Sequence, residues 1–162
     1  MITVDGRNLT LADVEAVARH RAPVGLGTGE VRERIERSVR FKEELVEMGV
    51  PMYGVTTNVS DSVHVQIARD RTAVLQRNLM HKLGYSTDAY LPKAYARTVM
   101  LLRANTLARG QSAVRPVIIE TLLACLDAGI ASCIPEEGSV GASGDLVPLS
   151  YVGATICGER NV

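Results

Sequence analysis

Apolar residues recur at helical spacing along most of the chain, and glycine or proline separates the segments that show it. Leu11, Val14 and Val17 share one face behind a possible cap at Thr10, a pattern typical of an amphipathic helix. The same reasoning predicts helices over six segments, residues 11–18, 30–48, 70–82, 92–108, 117–128 and 146–157. Only residues 2–4 favour a strand, so the fold class is predicted to be all-α.

Two of these helices, over residues 92–109 and 116–128, are apolar around more than one face. Helices of this kind are buried on several sides. The chain has few helices with which to cover them, so helices of a partner chain are expected to pack there. No linker or repeat divides the sequence, and residues 1–162 are interpreted as a single segment of one domain.

The charge balance excludes one class of partner. The chain carries 18 Lys+Arg and 18 Asp+Glu, for a formal net charge of zero. Nucleic acid is therefore not expected as a partner, because its phosphates call for a basic face.

No stretch approaches the roughly 20 apolar residues of a membrane-spanning helix. The N-terminus has neither the basic start nor the apolar run of a signal peptide, so the expected location is the cytoplasm.

The cysteines and histidines give no pattern of metal ligands, and no metal site is predicted. Three cysteines form neither a disulfide framework nor a zinc site and are expected to be buried, reduced thiols. The histidines are scattered, with no two placed on one helix face. A glycine loop at residues 25–29 lacks the preceding strand of a dinucleotide fingerprint and is interpreted as a turn, with Thr28 capping the next helix.

The segment from Pro135 to Leu149 is the most informative part of the sequence. It is rich in glycine, is bounded by prolines and places Ser143 between Ala142 and Gly144. The nucleophile elbow of hydrolases is not met, because Asp145 stands where its last glycine belongs. A simple cap before the following helix, by Ser143 or Asp145, is one interpretation.

A second interpretation uses the small size of the three residues. If the backbone bends back, the amide nitrogen of Gly144 can attack the carbonyl carbon of Ala142, which larger side chains would block. Loss of water from Ser143 then leaves an exocyclic methylene, which is a strongly electrophilic group made from the chain itself.

Several motifs in a fixed order resemble the aromatic amino acid lyase family of ammonia-lyases and 2,3-aminomutases. The residues from Gly138 to Leu149 resemble the family's Ala-Ser-Gly segment, and Tyr53-Gly54-Val55-Thr56-Thr57 resembles its tyrosine loop. Leu75-Gln76-Arg77-Asn78-Leu79 and the stretch from Leu101 to Gly110 resemble two family helices. The resemblance covers almost the whole chain, from Val4 to Glu159.

The resemblance implies a prosthetic group and a set of site residues. Ala142, Ser143 and Gly144 would form 4-methylidene-imidazol-5-one (MIO), with no external cofactor. Tyr53 would be the catalytic base on a mobile loop that closes over the substrate. The resemblance places four further residues at the substrate, Ser60, Lys82, Leu83 and Leu146.

The chain departs from the family pattern at two of these places. Asn58-Val59-Ser60 replaces a Gly-Phe-Gly or Gly-Tyr-Gly stretch, so we expect a stiffer loop and a changed pocket wall. Lys82-Leu83 stands where phenylalanine enzymes tend to have Phe-Leu, tyrosine enzymes His-Leu and histidine enzymes Ser-His. Lys82 either donates to a phenolic or carboxylate group of the substrate or turns to solvent. The stretch from Gly84 to Asp88 also departs from the family's Gly-Val-Gly.

The length matches only the N-terminal third of the family. The resemblance therefore implies the MIO-bearing part of the helical fold, packed on the central bundle of a complementary C-terminal chain. The expected function is elimination of ammonia from an aromatic L-amino acid, by a split enzyme in a tetramer-like hetero-oligomer. The alternatives are a 2,3-aminomutase that returns the amine to the β-carbon and a catalytically inactive helical assembly module.

Overall fold

The computed structural model describes residues 1–86, 89–139 and 146–159. Over these residues the chain forms two strands, β1 (Ile2–Val4) and β2 (Val24–Leu26). The helices follow in the order α1 (Leu11–His20), α2 (Glu30–Glu47), α3 (Thr72–Leu83), α4 (Lys93–Leu107), α5 (Pro116–Asp127) and α6 (Leu146–Ile156). Short 3-10 turns lie at Ser60–His64 and Arg69–Arg71. Among the described residues, every helix is too short or too polar to cross a bilayer.

The helical fold class is confirmed, and each of the six predicted helices is present to within two or three residues at its ends. Thr10 caps α1 as predicted: its Oγ1 accepts the backbone N–H of Asp13, and the Asp13 carboxylate accepts the backbone N–H of Thr10. These two bonds satisfy donors that the first turn of a helix otherwise leaves free. The Thr10 hydroxyl, together with that N–H, also lowers the pKa of the Asp13 carboxyl.

The glycine loop at residues 25–29 was predicted wrongly in part. β2 extends from Val24 to Leu26 and pairs in parallel with β1, Ile2 opposite Val24 and Val4 opposite Leu26. α1 is the crossover between the two strands, and the pairing satisfies backbone groups that a loop would leave to solvent. Gly29 stands at the cap position of α2 with no side-chain hydrogen bond, so Thr28 does not cap that helix.

The core is built mainly from aliphatic side chains of α4, α5 and the strand pair, with contributions from α1, α2 and α6. Met100 and Leu101 of α4 and Ile119 and Leu122 of α5 are fully buried. α4 and α5 each keep part of their apolar surface outside this core, where Leu102 and Val117 remain exposed. The expected covering of these helices on several sides is therefore incomplete within the described residues.

A buried arginine links three helices at one point. Arg97 of α4 is only 4% exposed and donates to the carbonyl of Val17 in α1, through Nε and Nη2, and to that of Leu126 in α5. Both acceptors lie in the last turn of their helices, where carbonyls lack partners in the helix itself. Burial, reinforced by the charge of Arg21, lowers the pKa of the Arg97 guanidinium. Arg97 thus ties the C-terminal ends of α1 and α5 to the middle of the core.

Candidate functional site

The loop that carries Tyr53 is ordered by its own backbone and side chains. The carbonyl of Met52 accepts the N–H groups of Val55, Thr56 and Thr57 at 3.0, 3.0 and 3.1 Å. The Thr56 hydroxyl accepts the N–H of Met52 at 2.8 Å. Tyr53 therefore lies in a tight turn between α2 and α3.

The phenol of Tyr53 reaches across the loop to Ser60. The backbone N–H of Ser60 donates to the Tyr53 hydroxyl oxygen at 3.0 Å. Ser60 has a φ of 59°, the left-handed conformation that glycine adopts without cost. The tyrosine side chain is otherwise 65% exposed. Ser60 thus holds a left-handed backbone that a glycine would adopt freely.

Asn58 and Val59, which precede Ser60 in the stretch that differs from the family pattern, make hydrogen bonds of their own. The Asn58 side-chain oxygen accepts the N–H of Val59 at 2.8 Å, and the backbone N–H of Asn58 donates to the carbonyl of Val65 at 2.9 Å. A bridge between Thr57 and Gln66 closes the loop behind them. These contacts tie the Asn58-Val59-Ser60 stretch to the residues that follow it; the stiffer loop stays a prediction.

α3 holds the tyrosine loop from outside. The side-chain amide of Gln76 donates from Nε2 to the carbonyl of Gly54, the residue after Tyr53, at 2.5 Å. Gln76 was part of the family-like stretch in the sequence, but sequence reasoning gave it no role. Its contact with the loop depends on how α3 packs against that loop, and the local sequence pattern does not show this packing.

α3 also packs antiparallel to α6. From the middle and the last turn of α3, Arg77 and His81 both contact the carboxylate of Glu159, just beyond the end of α6, at 3.1 and 2.5 Å. Between these two residues, Met80 lies against Gly153. The hydrogen bond from His81, aided by the charge of Arg77, lowers the pKa of Glu159. The loop just after α3 bonds to an earlier turn of α6, which places the C-terminal end of α3 toward the N-terminal end of α6.

The remaining described site residues lie at those two ends. Lys82 and Leu83 are the last residues of α3, with Lys82 exposed and Leu83 half-buried. Leu146 is the first residue of α6 and is exposed. The helix rise places Lys82 about 9 Å along the α3 axis from Gln76, which contacts the tyrosine loop. α3 thus connects the Tyr53 loop with the helix that follows the triplet.

The triplet Ala142, Ser143 and Gly144 lies outside the described residues, but the chain on either side of it converges. A Cβ added at Gly138 would lie 3.2 Å from Cγ1 of Val147 and in contact with the side chain of Ser86. Ser86 donates from its hydroxyl to the carbonyl of Glu137 and accepts at its own carbonyl the hydroxyl of Tyr151, at 2.9 Å in the second bond. The loop after α3 is therefore bonded to both flanks of the triplet.

Metal-ligand geometry is absent from the part of the chain that the structure describes, where no group of three His, Cys, Asp or Glu residues converges. The cysteines are free, as expected, but only partly buried: Cys125 and Cys133 are half-buried and Cys157 is exposed. Burial raises the pKa of the Cys125 thiol.

The known proteins that this chain resembles include an ammonia-lyase and an aminomutase, both much longer than this chain. A probable histidine ammonia-lyase of Thermoplasma volcanium is 41% identical over 98% of this chain, and a MIO-dependent tyrosine 2,3-aminomutase of Streptomyces globisporus is 39% identical over 99%. The match spans 32% and 30% of those two proteins, so this chain covers about a third of their length.

Solved structures give the same result. The tyrosine aminomutase of Streptomyces globisporus superposes with a TM-score of 0.89 at 38% identity, over 95% of this chain and 28% of that one. Histidine ammonia-lyase of Trypanosoma cruzi superposes with a TM-score of 0.84 at 27% identity, over 94% and 29%. The family model for aromatic amino acid lyases matches residues 9–162. The chain therefore belongs to the aromatic amino acid lyase family.

Proposed function

We propose that this chain supplies the electrophile and the base of an enzyme that eliminates ammonia from an aromatic L-amino acid. The Ala142-Ser143-Gly144 triplet provides the MIO group, and Tyr53 removes the proton from the β-carbon of the substrate. The observation that carries the proposal is the Tyr53 phenol held at 3.0 Å by the Ser60 amide, in a loop bonded to the helix that bears Lys82. Support for the reaction class comes from the ammonia-lyases and the aminomutase among the relatives.

The residues present fit the prosthetic group. Ala142 and Gly144 are small enough for ring closure, Ser143 supplies the hydroxyl that leaves as water, and Gly138 allows the close approach of Val147. The group supplies an electrophilic methylene that captures the substrate amine and makes it a better leaving group. All other steps belong to ordinary side chains.

Tyr53 is suited to accept the proton. The N–H of Ser60 donates to the phenol oxygen and so fixes the direction in which that oxygen points, which is what a base acting on one C–H bond requires. In the elimination, the β C–H pair of electrons forms the new double bond, the C–N bond breaks, and the proton passes to the phenol oxygen. The products are an α,β-unsaturated acid and ammonia.

Lys82 and Leu83 face the ring of the substrate in this proposal. The Leu83 side chain packs against the ring, and the Lys82 ammonium donates to a phenolic or carboxylate group on it. Ser60 contributes pocket wall, and Leu146 lines the side next to the triplet. This assignment favours a polar aromatic substrate over phenylalanine.

The rest of the active site comes from outside these 162 residues. Because the chain matches about a third of its relatives' length, we propose that a complementary C-terminal polypeptide completes the pocket in a hetero-oligomer. The exposed apolar residues Leu102 of α4 and Val117 of α5 belong to the surface that it covers.

Intact mass and absorbance test the proposal directly. Formation of MIO removes two waters, so the assembled protein should weigh about 36 Da less than its sequence and show a new ultraviolet band. Ser143→Ala should restore the full mass and abolish ammonia release, whereas the neighbouring Ser139→Ala should retain the modification. An active complex with an unmodified mass would contradict the proposal.

Tyr53→Phe tests the base separately from the electrophile. It should keep the mass deficit and lose nearly all ammonia release, because the ring stays in place without its proton acceptor. Ammonia release at the wild-type rate would exclude Tyr53 as the base.

A 2,3-aminomutase is the second candidate, favoured by the hydrogen bonds that stiffen the loop around Asn58 and Ser60. A loop that opens slowly retains the unsaturated acid long enough for the amine to return. A β-amino acid among the products would identify this activity. An assembled complex without MIO and without ammonia release would instead indicate an inactive assembly module.

A further inference from the structure

We propose that Gln76 is a positioning residue for Tyr53, an inference that rests on the proposed role of Tyr53 as the base. Its side-chain amide donates to the carbonyl of Gly54 at 2.5 Å, one peptide away from the tyrosine. The contact joins the tyrosine loop to α3 through a side chain rather than through chain connectivity. Gln76 therefore determines where the start of the loop lies relative to the helix.

The tyrosine depends on such a tie because little else holds its ring. Tyr53 is 65% exposed, so packing contributes little to its orientation. Within the described part of the chain, two connections hold it: the hydrogen bond from the Ser60 amide at 3.0 Å and the backbone turn at Met52. Gly54 belongs to that turn, with a φ of 67°. A shift of its carbonyl rotates the adjacent tyrosine and draws the phenol away from Ser60.

α3 is a firm support for this tie. The residue after Gln76, Arg77, contacts Glu159 beyond the end of α6, and His81 holds the second oxygen of the same carboxylate. Met80 packs against Gly153 in the middle of α6. The helix is thus fixed on one side by α6 while Gln76 reaches the loop on another. This arrangement sets the distance between the Tyr53 loop and the Lys82 end of the same helix.

The neighbouring residues provide a matched experiment. Gln76→Met keeps the length of the side chain and removes its donor, whereas Arg77→Met removes a long polar side chain that contacts α6 and not the loop. Amide hydrogen exchange of Ser60, followed by NMR in the full chain, reports the bond to Tyr53. A neutral hydrogen bond contributes about 0.5–1.5 kcal/mol, which corresponds to a fall in protection of roughly 2- to 10-fold.

The expected result is that fall in Gln76→Met, with Ser60 protection in Arg77→Met within twofold of the wild type. Unchanged protection in Gln76→Met would overturn the proposal. An equal fall in both variants would also overturn it, because a general loosening of α3 would then explain the effect.

Kinetics distinguish positioning from a role in stability. In the preparation that releases ammonia, Gln76→Met should lower kcat several-fold while KM and the MIO mass deficit stay unchanged. A rise in KM with unchanged kcat would contradict a role in placing the base. If the wild-type complex neither contains MIO nor releases ammonia, the proposed function fails, while the exchange experiment still decides whether Gln76 holds the tyrosine.

Discussion

The Tyr53 hydroxyl accepts the backbone N–H of Ser60 at 3.0 Å, and Ser60 makes this contact from a left-handed conformation with φ of 59°. A serine in this region stores strain of roughly 1–2 kcal/mol relative to ordinary backbone. The loop thus keeps a direction that glycine adopts freely, although the chain has no glycine there. The strain is concentrated at the residue that bonds the candidate base.

Replacing Ser60 by glycine should relieve that strain. Ser62, in the same 3-10 turn, has φ of −87° and serves as the matched control. Glycine at either position loses about 0.5–1 kcal/mol through the entropy of the unfolded chain, but only Ser60→Gly recovers the strain. Denaturant unfolding should therefore show Ser60→Gly more stable than Ser62→Gly by about 1–2 kcal/mol. Equal stability of the two variants would show that Ser60 is not strained.

The contact between α3 and α6 should weaken in acid, when the Glu159 carboxylate becomes protonated. Its pKa is lowered from the ordinary 4.5 by the His81 hydrogen bond and the Arg77 charge, so the folded state favours the ionised form. The stabilisation is present above about pH 4.5 and is lost as pH falls through the lowered value.

Thermal melts across that range measure the effect. The wild type should be more stable than Glu159→Gln at neutral pH, and the two melting temperatures should converge in acid. Glu15→Gln, which removes a carboxylate from α1, should keep the wild-type acid dependence. A constant difference between wild type and Glu159→Gln at every pH would contradict the assignment.

Arg97 should be among the residues most sensitive to replacement. Arg97→Leu removes the donors to Val17 and Leu126; the Leu126 carbonyl keeps the N–H of Gly129 at 3.1 Å, whereas the buried carbonyl of Val17 loses its side-chain donor. A buried group left without its partner costs about 1–3 kcal/mol, so we expect a loss of about that size in the free energy of unfolding. Arg19→Leu, at an exposed ion pair with Glu15, should change it by less than about 1 kcal/mol. A small effect at Arg97 would mean that water replaces its donors.

Lys82 should control substrate choice if it faces the pocket. Lys82→Met keeps the apolar stem and removes the charge. A hydrogen bond to a charged group contributes about 1.5–3 kcal/mol, so kcat/KM for tyrosine relative to phenylalanine should fall roughly 10-fold or more. Competition between the two amino acids in one assay measures the ratio. An unchanged ratio would place the Lys82 ammonium in solvent.

The helices were predictable from the sequence because the information that defines them is local. Apolar spacing, the Thr10 cap and bordering glycines and prolines determine α1 to α6 within a few residues. The strand at Val24 was missed because three residues give no periodicity, and its pairing partner lies more than 20 positions away. Because this strand was not expected, residues 25–29 were interpreted as a turn and Thr28 was expected to cap α2.

The sequence by itself determined the helical class, the family resemblance and the chemistry available to the Tyr53 loop and the Ala142-Ser143-Gly144 triplet. Only the tertiary structure decided that Ser60 bonds Tyr53 from a left-handed backbone, that Gln76 ties the loop to α3, and that Arg97 joins three helices. These contacts span from 7 to 80 positions. They arise from packing between segments that are distant in the sequence. Residue identity and local spacing do not show which distant segments will meet.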